Sequence, residues 1–192
     1  MENPLIWLVL IAYILGSIPF SLLIGRFFAK TDIRKAGSHN VGATNLTRLA
    51  GAKLGFLGFI LDFLKGVAAV WIAATLIEGN LAKSLAAFAA VIGHMYPIWL
   101  RFKGGKGVAT YFGVLVTLGW MIALPTMLVW VGAFYKTRYS SIASISSMVA
   151  ACIFAIITPF FAVCCVIGAL VIWKHKGNIQ RLLNGTEGAF KK

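Results

Sequence analysis

The chain reads as an all-α integral membrane protein with seven transmembrane helices, its N-terminus outside and its C-terminus in the cytoplasm. Three observations carry that reading. Of its 192 residues 60% are hydrophobic and its mean hydropathy is +0.88, values of a polytopic membrane protein rather than a soluble domain. Apolar stretches run from Leu5 to Phe28, Leu54 to Ile77, Leu85 to Leu100, Val108 to Leu118, Trp120 to Tyr135, Ile142 to Ile157 and Phe160 to Trp173. Sixteen of the eighteen lysines and arginines fall in every second gap between those stretches.

A helix that crosses the hydrocarbon needs roughly 20 apolar residues, fewer where the bilayer thins. The first two stretches meet that outright. The middle ones are short and the fourth is the weakest, so five spans result if stretches four and five, or six and seven, are re-entrant pairs. The first gap carries Arg26, Lys30, Arg34, Lys35, Arg48 and Lys53. The third carries Arg101, Lys103 and Lys106, the fifth Lys136 and Arg138, and the tail Lys174, Lys176, Arg181, Lys191 and Lys192. The N-terminus and the even gaps hold only Lys83. Basic loops stay in the cytoplasm, which sets the orientation.

Residues 1–192 form a single membrane domain, with no linker or low-complexity tract to mark a second. The net charge of +13 would suggest nucleic acid in a soluble protein. Here topology accounts for most of it, and anionic lipid or substrate for the rest. No nucleic-acid partner is expected. Glu2 stands where a signal peptide would carry basic residues, so the first stretch is expected to be a retained helix. Cys152, Cys164 and Cys165 lie in the last two apolar stretches without metal-ligand spacing, so neither a metal site nor a cofactor is expected.

The first basic loop holds Gly37-Ser38-His39-Asn40-Val41-Gly42-Ala43-Thr44-Asn45. Glycines allow close backbone approach to a ligand, and Ser38, Asn40, Thr44 and Asn45 supply hydrogen-bonding side chains. Such a run can turn successive N–H groups toward an anion. Thr44 or Asn45 is placed to cap a following helix, and Arg48 to offer a bidentate fork to phosphate oxygens. The second basic loop reads Lys103-Gly104-Gly105-Lys106-Gly107 and opens the fourth stretch. Lysines framed by glycines at a helix start suggest a phosphate cradle of backbone N–H groups, helix dipole and ammonium. The Walker A spacing is missing. Ser140 and Ser141 are expected to cap the sixth helix. His175, Asn178 and Arg181 recur at helical spacing and share one helix face.

Within the apolar stretches, Asp62 and Lys65 are three apart and can pair on one helix face. Gly16, Ser17 and Pro19 interrupt the first helix. His94 is expected to be a bundle histidine bonded to a backbone carbonyl.

Three strings, GSHNVGATNLTR, GHMYPIWLRFKGGKGVAT and HKGNIQRLLNGTE, resemble the cytoplasmic motifs of the bacterial acyl-phosphate:glycerol-3-phosphate acyltransferases. Size, segment order and motif spacing agree along nearly the whole chain. The resemblance implies a seven-helix enzyme of the bacterial inner membrane with its site on the cytoplasmic side. It would move an acyl chain from acyl phosphate to the 1-hydroxyl of sn-glycerol 3-phosphate, giving 1-acyl-glycerol 3-phosphate and phosphate, the first step of phospholipid synthesis. It implies Ser38, Arg48, Lys106, Ser141, His175 and Asn178 as catalytic residues, and Asn40, Thr44, Asn45, Gly104, Gly105 and Gly107 as substrate-binding residues.

The residues themselves show no obvious general base. None of His39, His94 and His175 is followed by an aspartate at the H-x4-D spacing of other glycerolipid acyltransferases. Direct attack by the glycerol hydroxyl is therefore expected, with a substrate phosphate oxygen taking the proton and His175 the alternative base. A small-anion transporter and a lipid-binding scaffold are the competing readings. The first needs a polar path to the outside that the bare even gaps do not supply, and the second leaves the ordered Gly/Asn/Ser/Thr loop unexplained.

Overall fold

The computed structural model describes residues 4–190. All regular structure among them is helical. The chain divides into two compact units, one up to Thr117 and one from Leu118.

The first unit begins with α1 (Pro4–Ser17) and α2 (Phe20–Phe27), which together make one apolar stretch interrupted at Ile18 and Pro19. Pro19 has no N–H to donate, so the ladder fails there. Side chains bond the backbone at the break: Lys65 Nζ donates at 2.6 Å to Ile18 O, which also accepts from Phe20 N, and Trp99 Nε1 donates to Ser17 O at 3.1 Å and to the Ser17 hydroxyl at 2.7 Å. This satisfies backbone that a bilayer would otherwise leave unpaired. The short α3 (Ala43–Ala50) leads into the long α4 (Ala52–Leu76), then α5 (Asn80–Met95). Tyr96 ends α5, Pro97 forces extended backbone, and Ile98–Leu100 make a 3-10 turn before α6 (Val108–Leu118).

Small residues let these helices close on one another. Ala12 of α1 and Ala86, Ala89 and Ala90 of α5 are buried together. A Cβ on Gly16 would strike the Ala90 backbone, and one on Gly93 the Tyr13 carbonyl. Such small-residue seams are how apolar helices associate where the hydrophobic effect does not distinguish neighbour from lipid.

The second unit holds α7 (Trp120–Thr137), α8 (Ser140–Ala155), α9 (Phe161–Lys174) and α10 (Lys176–Leu183). α8 packs against both α7 and α9, with Ala143, Met148, Ala151, Cys164, Ile167 and Val171 buried. After α10 the chain turns back: Glu187 N bonds to Arg181 O, Phe190 N bonds to Arg138 O, and the Phe190 ring meets Phe134 edge-on.

Among the described residues, three stretches are long and apolar enough to cross a membrane, Pro4–Phe27, Ala52–Leu76 and Asn80–Leu100. A fourth results if α9 and α10, bent by 53°, are one span. α6 has 11 residues and α8 has 16, about 16 and 24 Å of helix against a hydrocarbon core of about 30 Å. Length alone therefore does not make these two spans.

Candidate active site

The first-unit site is built on the loop before α3. Asn45 is fully buried and spends its side chain inside that loop. Its Nδ2 donates to Ile33 O at 2.7 Å, Asn40 O at 3.0 Å and Ala36 O at 3.1 Å. Its Oδ1 accepts from Ser38 N at 2.9 Å. One amide thus holds four points of the loop between Ile33 and Asn40 in a fixed curve. Asn40 Oδ1 accepts from Gly42 N at 3.0 Å, closing a second small turn. Gly42, not Thr44 or Asn45, is the N-cap of α3, and no side chain caps it. The capping expectation fails because Asn45 already serves the loop, and Thr44 lies inside the helix and is exposed. Ser38 and Asn40 are half-buried on the curve, and Arg48 is exposed in the last turn of α3.

At the start of this loop Asp32 receives Arg34 Nη2 at 2.6 Å and Nε at 2.9 Å, with Arg26 at 3.1 Å. The Arg34 hydrogen bonds, chiefly, hold the Asp32 carboxyl well below the usual carboxylate range.

The second basic loop departs from the expected cradle. Gly104 N donates to Met95 O at 3.1 Å and Gly105 N to His94 O at 3.0 Å. These two amides tie the loop to the end of α5 and are not offered to an anion. Gly105 is buried with its α-carbon against the His94 ring, where a Cβ would collide with Nε2. His94 Nδ1 stands 3.7 Å from Asp62 Oδ1. The ring therefore faces a carboxylate. Asp62 and Lys65 form the pair expected from their spacing, at 2.8 Å and buried, and Ser21 Oγ donates to Asp62 Oδ2 at 2.7 Å. Breaking such a buried pair by removing one partner costs about 3–5 kcal/mol. Asp62, His94 and Gly105 thus make a stack that seats the turn carrying Lys106. Lys106 is half-buried, and Gly107, with φ +91°, is buried beside it at the entrance to α6.

The second-unit site centres on a residue that sequence reasoning left out. Glu187 Oε1 accepts from Ser141 Oγ at 3.0 Å and Asn178 Nδ2 at 2.6 Å. Its Oε2 accepts from Arg181 Nε at 2.7 Å. Burial pushes the Glu187 carboxyl up, but the hydrogen bonds from Asn178, Arg181 and Ser141 outweigh it and hold the group below its ordinary value. Ser141 lies inside α8, whose N-cap is Tyr139 without a side-chain bond, so the serine pair does not cap that helix. Asn178 and Arg181 do share a face, and what they share is Glu187. His175 is buried at the junction of α9 and α10, with Nδ1 2.8 Å from Val171 O. A carbonyl only accepts, so Nδ1 carries the proton and Nε2 is the basic nitrogen of the neutral ring. The signal for Glu187 was available: it is one of five acidic residues in the chain, set in a basic tail and inside the third motif string.

The helices, small-residue seams, buried ion pair and polar loops define an all-helical integral membrane enzyme. The profile of the glycerol-3-phosphate acyltransferase family matches residues 6–185, and the chain belongs to that family. It is 44% identical to the glycerol-3-phosphate acyltransferase of Mesorhizobium japonicum over 98% of this chain and 97% of that one. It is 44% identical to the enzyme of Aquifex aeolicus over 96% of this chain and 98% of that one. Among solved structures it resembles the glycerol 3-phosphate form of PlsY, an integral membrane glycerol 3-phosphate acyltransferase, with TM-score 0.93 and 43% identity. The lysophosphatidic acid form of PlsY gives TM-score 0.90 and 42% identity. Each comparison covers 98% of this chain and 96% of the other. The protein is an acyltransferase.

Proposed function

We propose that this acyltransferase takes its acyl chain from acyl phosphate and delivers it to the 1-hydroxyl of sn-glycerol 3-phosphate. The products are 1-acyl-sn-glycerol 3-phosphate and inorganic phosphate, the first step of bacterial phospholipid synthesis. The observation that supports this most is the similarity to PlsY structures in glycerol 3-phosphate and lysophosphatidic acid forms, joined to loops rich in phosphate-binding groups. The enzyme sits in the bacterial inner membrane with seven spans, N-terminus outside, and its basic loops and active site on the cytoplasmic side. The alternation of sixteen basic residues between gaps supports that orientation. The family match runs through both units, which supports reading the chain as one catalytic domain.

The glycerol hydroxyl oxygen attacks the acyl carbonyl carbon. The bond from that carbon to the bridging oxygen breaks, phosphate leaves with the bridging oxygen, and a phosphate oxygen takes the hydroxyl proton. A mixed anhydride with so stable a leaving group needs alignment and charge stabilisation more than a strong acid. Arg48 and Lys106 are the principal anion ligands. Ser38, Asn40 and Thr44 contact substrate oxygens along the first loop, while Asn45, Gly104, Gly105 and Gly107 shape the backbone that presents them. Ser141, His175 and Asn178 complete the catalytic set, with Glu187 orienting the serine and the amide. The anchored Nδ1 of His175 favours one second reading, in which Nε2 is the base. In that version a limb of the pH–rate profile near the imidazole range disappears in His175→Ala while substrate binding persists.

The test is a donor comparison. Purified protein given labelled glycerol 3-phosphate forms labelled lysophosphatidate from palmitoyl phosphate and not from palmitoyl-CoA. Transfer from palmitoyl-CoA alone would show the donor to be wrong.

A further inference from the structure

Between its first and second basic loops the first unit carries a recess of about 500 Å³. Arg34, His39, Arg101 and Lys103 form its polar side, and Val41, Trp99 and Leu100 its apolar side. None of Ser38, Arg48 and Lys106 lines it. Among the described residues, neither Arg101 nor Lys103 pairs with a carboxylate. Arg34 shares Asp32 with Arg26, leaving that trio net cationic. Positive charge therefore converges on a concave surface, and Arg101 offers a planar fork that suits phosphate oxygens.

The recess lies at the end of a stretch long enough to span, Asn80–Leu100. Adjoining Leu100 and Arg101 of its lining in the chain, Ile98, Trp99 and Phe102 are more than half exposed. The Trp99 indole N–H is tied to Ser17, so the ring is held at that level. Aromatic rings and cations at a span end are the composition of the headgroup layer. His39, Arg101 and Phe102 all adopt left-handed backbone, with φ of +56°, +50° and +61°. For non-glycine residues this conformation is costly and concentrates at functional places. His39 Nδ1 is further fixed 3.0 Å from Arg34 O.

We propose that this recess seats the phosphate head of an anionic diacyl phospholipid from the surrounding bilayer, with the lipid tails lying along Ile98, Trp99 and Phe102. The shared chemistry is a phosphate on an acyl glycerol, which the bilayer and the enzyme's own lipid product both offer. The absence of Ser38, Arg48 and Lys106 from its lining, and the exposed aromatic residues at the end of a spanning stretch beside it, select the bilayer lipid.

The full-length protein in mild detergent is titrated with phosphatidylglycerol, and native mass spectrometry reads the one-lipid species. Phosphatidylcholine, lysophosphatidate and inorganic phosphate run as parallel probes. Phosphatidylglycerol is expected to bind ahead of phosphatidylcholine. Arg101→Ala with Lys103→Ala weakens it about thirtyfold, from roughly fivefold per basic residue at a membrane surface. Arg101→Lys with Lys103→Arg keeps most of the affinity, which guards against a folding defect. Lys35→Ala with Lys53→Ala, an equal charge loss off the recess, changes nothing. Equal weakening in that control, or undiminished binding in the Arg101/Lys103 alanine variant, would overturn the proposal. So would displacement of the lipid by inorganic phosphate, or recess-dependent binding of lysophosphatidate tighter than that of phosphatidylglycerol.

Discussion

Ser141 Oγ donates a 3.0 Å hydrogen bond to Glu187 Oε1, joining the first turn of α8 to a residue 46 positions further along the chain. Asn178 and Arg181 converge on the same carboxylate. Glu187→Ala leaves buried donors without an acceptor, at about 1–3 kcal/mol for each group orphaned. The variant is expected to melt well below wild type and to lose activity with it. Glu187→Gln, which keeps one acceptor oxygen, falls between. Thermal melts in a single detergent read this, and an unchanged midpoint for Glu187→Ala would show the junction to be idle.

The same carboxylate sets an acid limit. Glu187 and Asp32 are both held below their ordinary values, Glu187 by bonds that overcome its burial and Asp32 chiefly by Arg34. A depressed carboxyl contributes stability that is complete above its unfolded-chain titration and fades as pH falls through the folded one. Stability should therefore be flat from neutrality to about pH 5 and decline below it. Glu187→Gln with Asp32→Asn should lower the plateau and flatten the acid limb. A limb of undiminished slope in that double variant would place the acid sensitivity elsewhere.

Gly105 has room for a hydrogen and nothing larger, because His94 fills the space. Gly105→Ala is expected to shift the turn that carries Lys106. A displacement of about 1 Å near reacting groups can cost on the order of a hundredfold in rate. His94→Ala added to Gly105→Ala relieves the collision and should recover part of that loss. Comparing kcat/KM for the two single variants and the double tests it; additive losses would mean that the ring and the glycine act independently.

Arg48 and Lys106 carry the charge in the proposed chemistry. Each alanine variant should lose about a hundred- to a thousandfold in kcat/KM, the usual cost of removing one group that stabilises developing charge. Near-normal turnover in either would move the phosphate sites to other residues.

What was legible in the sequence was local. Pro19 ends a hydrogen-bond ladder wherever it stands, so the break in the first stretch followed from one residue. Asp62 and Lys65 are neighbours on any helix, so their pairing followed from spacing. The long stretch Ala52–Leu76 followed from composition, whereas the third stretch, short when counted from Leu85, begins at Asn80 in the structure and is long enough to span. What was not legible depends on contacts distant along the chain. Asn45 had the look of a ligand or a cap, and its geometry makes it the pin of its own loop. His94 meets Asp62 only because α4 and α5 pack together. Glu187 reaches Ser141 only because the chain turns back after α10. The amides of Gly104 and Gly105 look like anion donors in the sequence, since nothing local shows that α5 ends with carbonyls facing them.

Acyl transfer from acyl phosphate predicts a fixed stoichiometry, and the most direct measurement is phosphate release by the purified protein given palmitoyl phosphate and glycerol 3-phosphate. Inorganic phosphate should appear only when glycerol 3-phosphate is present, with one lysophosphatidate formed for each phosphate released. Phosphate release that does not depend on glycerol 3-phosphate, or lysophosphatidate formed without matching phosphate, would contradict it.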